Sequence, residues 1–161
     1  MAEPQTVLQT LQNLEAVRGD TLQRLQPLSQ PQLDWRPGPE ADGSEEAWSL
    51  GEVFMHLALD EIYLRELIAV PLLMGIKPPE EVRFLPPPPP YGYSKEVILF
   101  WFEQARRGTL DLLAGWPEDA PLDLDHQGGL QPMNALEWLE GYASHEAFHH
   151  RQMDHLVSIL V

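Results

Sequence analysis

The stretch Met133–Val161, MNALEWLEGYASHEAFHHRQMDHLVSILV, decides the fold. It contains no proline, and no glycine after Gly141, so nothing interrupts a helix over its second half. Trp138, Tyr142, His145, His149, Gln152 and Leu156 recur in steps of three and four. That spacing gathers them on one stripe of a helix running from about Met133 to the end. Residues four apart sit one above the other, so His145 and His149 can aim two imidazoles at one point. Two histidines so placed are half of a transition-metal site.

Three further helices are legible upstream. Leu8, Leu11, Leu14, Leu22 and Leu25 form a stripe from about Thr6 to Leu25, with Thr6 as N-cap and Pro27 as stop. Ser49 and Glu52 form an S-x-x-E capping box opening a second helix, about Leu50 to Ile68, with Pro71 at or just beyond its end. Its apolar face carries Val53, Leu57, Leu64, Leu67 and Ile68, with His56, Asp60 and Tyr63 beside it. Val97–Phe102 is a continuous apolar run that could pass for a strand. Its continuation through Ala105, Leu110, Leu112 and Leu113 predicts a third helix from about Ser94 to Gly115. Four helices and no convincing strand predict an all-α four-helix bundle, a single domain over residues 1–161. The connections at 27–48, 71–93 and 116–131 are long enough for crossovers, so an up-down-up-down order is not implied. The middle one holds the run Pro86–Pro90, a stiff extended segment.

Composition narrows the function. There are 25 acidic and 10 basic side chains, a net charge of −15, and no basic cluster longer than Arg106-Arg107. Such a field repels phosphate backbones and argues against nucleic-acid binding. No apolar run is long enough to span a membrane. Met1–Pro4 lacks the basic start and apolar run of a secretory signal, which favours the cytoplasm. With no cysteine, disulfides, thiolate ligands and a cysteine nucleophile are all excluded. A metal would be held by nitrogen and oxygen, and a reacting thiol would have to arrive with a substrate.

A third ligand should come from a facing helix. His56 is the only histidine in the first three helices, and an imidazole beside an apolar stripe must be satisfied by something. Two histidines from one helix and one from another give a three-nitrogen site with an open position, suited to zinc, nickel or a similar divalent ion. Asp60, one turn after His56, could be a fourth ligand or an acceptor fixing an imidazole; Gln152 shares the stripe of the pair and suits the second role better. His150 and His155 fall off the stripe and read as solvated, and His126 as a structural or solvent-facing loop residue. His145–His149 also spells H-E-x-x-H, the zinc-protease pattern with Glu146 as base. Only 12 residues follow His149, which leaves little room for a further downstream ligand, so the plainer reading of Glu146 is an exposed helical acid paired with His150 or Arg151.

Three blocks resemble the DinB/YfiT-like superfamily of metal-dependent four-helix-bundle enzymes. Leu33-Asp34-Trp35-Arg36-Pro37 is similar to the family's LDWRP turn. Trp48–Leu57 is similar to its WS-x-x-E-V-x-x-H-L block, and His145-x3-His149-x2-Gln152 to its fourth-helix block. Their order matches, and they span nearly the whole chain. The resemblance implies His56, His145 and His149 as metal ligands, an unusual helix order and often a homodimer. It also implies chemistry with low-molecular-weight thiols such as bacillithiol or mycothiol, in S-transfer or maleylpyruvate isomerisation. The chain departs from the pattern in the long acidic stretch Gly38–Ala47 and in the proline run, both of which could flank a pocket mouth.

The leading expectation is therefore a metalloenzyme transferring a low-molecular-weight thiol to an electrophilic small molecule. Trp48, Tyr63, Trp138 and Tyr142 are candidate pocket walls. One alternative is a metal-dependent hydrolase of a small substrate, with Glu146 or Asp60 as base. The other is a non-catalytic metal-binding stress-response protein.

Overall fold

The computed structural model describes residues 4–38, 48–82, 88–128 and 131–160. These residues are all-helical apart from an isolated antiparallel bridge between His126 and Met133. The elements are α1 (Pro4–Leu25), α2 (Gln30–Asp34), α3 (Leu50–Leu64), a π-helical turn (Arg65–Ala69), α4 (Val70–Leu73), α5 (Lys95–Ala114) and α6 (Ala135–Ser158). No described helix is long and apolar enough to cross a membrane.

Local chemistry sets the starts. Ser29, Ser49 and Asn134 are N-caps of complete capping boxes with Gln32, Glu52 and Glu137, and Ser94 caps α5. The boundaries differ from expectation in three places. The first helix already runs from Pro4, so Thr6 lies inside it rather than capping it. The short helix α2 sits within the first long connection, a capping box in the sequence that its five-residue length kept from standing out. The second helix does not stop near Ile68. The π turn carries the chain into α4, where Pro71 occupies the first turn, the place at which a missing N–H and a fixed φ are tolerated. The extra residue of that turn also shifts the helix face, leaving Leu67 exposed while Ile68 is buried. Leu8, at the edge of its stripe, is likewise exposed.

Cross-helix bonds give the directions. Thr10–Glu140, Arg18–Glu146 and Arg24–Asp154 run in step, so α1 and α6 are parallel. Phe54–Phe102 and Arg65–Thr109 make α3 and α5 parallel as well. Tyr142 bonds Leu57 and His149 packs on His56, so α3 and α6 are antiparallel. The order is thus up, down, down, up, and the long 74–94 connection is the crossover it requires.

Two close approaches explain why particular residues stand where they do. A Cβ on Gly51 would lie 3.2 Å from the Leu33 carbonyl oxygen, so α2 can lie directly against the start of α3. A Cβ on Gly108 would lie 2.4 Å from the Arg65 guanidinium, which crosses there to bond Thr109 and the Ala105 carbonyl.

The core is two apolar clusters. One is built around Leu14, Ile68, Leu72, Trp138 and Leu139, the other around Leu25, Leu33, Phe54, Phe102, Met153 and Leu156. Between them lies a buried polar layer. Arg18 of α1 donates to Glu146 of α6 (2.8 Å) and to Glu61 of α3 (2.7 Å). Arg106 of α5 donates to Glu61 (2.9 Å) and to the Leu14 carbonyl (2.9 Å). Two cations and two anions, one from each long helix, neutralise one another at the centre. Removing one partner of such a group strands a buried charge, at a cost of about 3–5 kcal/mol. Arg18→Met is therefore expected to lose stability of that order in urea unfolding, whereas Arg24→Ala, at the exposed pair with Asp154, should lose less than about 1 kcal/mol.

Candidate metal centre

The polar layer carries a second cluster on its other side. His56 enters from α3, two turns after the Ser49–Glu52 box, and His145 and His149 from adjacent turns of α6. One ring nitrogen from each lies within 4.8 Å of the other two, and among the described residues no other histidine or carboxylate joins the group. His56 and His149 are buried, and His145 is partly open to solvent.

The outer nitrogens fix how the rings face. His149 Nδ1 lies 2.7 Å from Gln152 Oε1, an oxygen that can only accept, so this nitrogen carries a proton. Asp60 Oδ2, fully buried, lies 3.1 Å from His145 Nδ1 and draws a proton to the same position. Both inward Nε2 atoms are then lone pairs, yet they stand 3.1 Å apart. Two facing lone pairs repel unless a cation sits between them. Two nitrogens on one tetrahedral zinc, each about 2.0–2.1 Å from it, would be about 3.3 Å apart. The buried Nδ1 of His56 has no hydrogen-bond partner among the described residues. Burial pushes His56 and His145 down to about 3, and pushes His149 down as well. All three are therefore neutral near pH 7, as metal ligands must be. The donor set fits a divalent transition ion.

Trp48, just before the Ser49 cap, forms one wall: its ring meets His56 edge-on at 5.0 Å and lies nearly parallel to His149 at 6.3 Å. The capping box thus places Trp48 and His56 together. Arg36 pairs with Glu52 of that box, docking the LDWRP segment onto the start of α3.

The structure corrects other expectations. Trp138 and Tyr142 are core residues rather than pocket walls: the indole donates to the His126 carbonyl and the phenol to that of Leu57. Tyr63 packs against the same core cluster. Glu146 is neither exposed nor a base at the histidines. It is fully buried, and it accepts from Arg18 and, at 2.6 Å, from Thr21. Burial raises its pKa, but Arg18, Thr21 and Arg106 together hold it below the ordinary carboxyl value. The H-E-x-x-H reading fails on this geometry. His150 is buried, its Nε2 donating to Thr21 at 2.7 Å because that hydroxyl's one proton goes to Glu146. His155 is exposed, as expected. His126 is structural: it is buried, with Nε2 on the Val82 carbonyl. The stretch 39–47 and residues 83–87 of the proline-rich segment lie outside the described residues.

The chain belongs to the DinB superfamily. The match to that family covers residues 13–153. No curated protein and no solved structure matches the chain.

The two buried partners of Thr21 make one substitution informative. Thr21→Val keeps the shape but leaves Glu146 and His150 each short of a partner. It is expected to lower stability by about 1–3 kcal/mol in urea unfolding.

Proposed function

We propose that this protein is a metal-dependent enzyme that transfers a low-molecular-weight thiol of the bacillithiol type to an electrophilic small molecule in the cytoplasm. The observation that carries the metal is the pair of inward lone pairs 3.1 Å apart, with the outer nitrogens held by Asp60 and Gln152 and with His56 completing the cluster. His56, His145 and His149 would hold zinc or nickel, both suited to three imidazoles. The bound ion would supply a site at which a thiol loses its proton near neutral pH.

The chain's own residues have definable tasks. Asp60 and Gln152 keep the protons of His145 and His149 on Nδ1, so both Nε2 atoms stay basic. Trp48 and the buried side chains of α3 exclude water from the inner face. The partly open His145 side is where a substrate can reach the site. In the transfer a new S–C bond forms: with an aryl halide the halide departs with its bonding pair, and with an epoxide the C–O bond breaks and the retained oxygen takes a proton from solvent. The thiol proton goes to solvent. The absence of cysteine from the chain supports an external thiol, since the protein has no sulfur nucleophile of its own. The family resemblance supports the thiol class, and it extends the proposal to a homodimer.

Metal-loaded protein is expected to turn over electrophiles such as activated aryl halides or epoxides only when a thiol is added, and to lose turnover on chelation. Turnover with metal but no thiol, releasing the hydrolysed substrate, would point instead to a hydrolase. Metal binding with neither activity would point to a non-catalytic protein. Gln152→Ala and Asp60→Asn are expected to weaken zinc affinity by about 10–100-fold in chelator competition.

A further inference from the structure

His145 is the open side of the histidine cluster: its side chain is 16% exposed, whereas His56 and His149 are buried. What stands beside that opening decides what can enter. Phe148 follows His145 by three residues on α6. On a helix it lies about 60° round from His145, on the flank away from Glu146 and α1. It is 68% exposed. A single exposed aromatic needs no explanation by itself. This one packs on a cluster histidine, with ring centroids 5.7 Å apart and an interplanar angle of 83° to His149. The other exposed aromatics among the described residues behave differently: Tyr91 packs on Tyr93, and Phe100 and Trp101 on each other.

Trp48 packs on the same histidine, at 6.3 Å and only 19° from parallel, and it is half-buried. With one ring nearly parallel to His149 and the other nearly perpendicular, Trp48 and Phe148 are steeply inclined to one another. A flat ring laid against one is turned edge-on to the other, and these are the two arrangements that aromatic rings prefer. The acids beside the cluster are already engaged, Asp60 with His145 and Glu52 with Arg36. A net charge of −15 further disfavours an anionic substrate. We infer that Phe148, with Trp48, binds the aromatic ring of a neutral substrate and holds it at the open side of the histidine cluster. This deepens the proposed thiol transfer and rests on it for one point, that the bound ring is the electrophile. An activated aryl halide is then preferred to an aliphatic epoxide.

Equilibrium dialysis of the full chain, with zinc added, against 1,3-dinitrobenzene tests the site without turnover, because that neutral ring has no leaving group. Wild-type protein should bind it. Phe148→Ala should weaken binding at least about fivefold, and Phe148→Tyr should restore it. Zinc affinity in chelator competition should be the same in all three, since Phe148 carries no ligand atom. With added thiol, the ratio of kcat/KM for 1-chloro-2,4-dinitrobenzene to that for iodoacetamide, a neutral electrophile without a ring, should fall by the same factor in Phe148→Ala. Circular dichroism and sedimentation should show wild-type helix content and assembly state. If Phe148→Ala does not keep its fold, Phe148→Leu, apolar but without a ring, takes its place. Ring binding that depends on Phe148 in a protein without thiol transfer would sink the transferase reading and leave the aromatic site standing. No binding of the ring by wild-type protein, binding indifferent to Phe148, or loss of binding only together with a changed assembly state would overturn the inference.

Discussion

The structure depends on four buried charges. Arg18, Glu61, Arg106 and Glu146 come one from each long helix and meet where no water is available to solvate them. Each is tolerable only because the other three are in place, so the helices are held in one rotation and one axial register. The apolar clusters above and below could accept small slips, because hydrophobic contact is not directional. The charge layer cannot. It also turns α6 so that Glu146 faces Arg18. On a helix that rotation turns His145 and His149, on the neighbouring face, toward α3 and His56.

The histidine cluster and the ion layer are thus two faces of the same turns of α6. His145 and Glu146 are neighbours in sequence but serve different ends. One enters a site of neutral nitrogens, the other a salt-bridged core. That separation removes the protease reading more firmly than sequence length does. The carboxylate of H-E-x-x-H is held by Arg18 and Thr21 on the adjacent face of the helix, turned toward α1. The capping box at Ser49–Glu52 is the corresponding device on α3. It fixes where the helix starts, and so where His56 lies along the bundle and where Trp48 closes over it.

Much of this was legible in the sequence because it is periodic or local. The stripe on α6, the Ser49 capping box and the Ser94–Gly115 limits of α5 follow from spacing and caps alone. The histidine cluster was legible because the i, i+4 pair is local and only one partner histidine was on offer. The ion layer was not read. Arg18 does sit on the leucine stripe, four residues from both Leu14 and Leu22, and a charge in that position signals a buried partner. Which acids answer it is a long-range matter that spacing cannot supply. His150 and Glu146 were misjudged for the same reason, since their burial depends on α1 lying parallel to α6. The π turn before Pro71 was hidden because a proline ordinarily reads as an end, while here one extra residue per turn lets the helix pass it.

The central claim is that the three histidines hold a metal ion. Elemental analysis of protein purified without a histidine tag, beside His56→Ala prepared in the same way, tests it most directly. The account predicts about one divalent transition ion per chain in the wild type and none in the variant, whose helix content is unchanged. No bound metal in the wild type, and none taken up from added zinc or nickel, would contradict it.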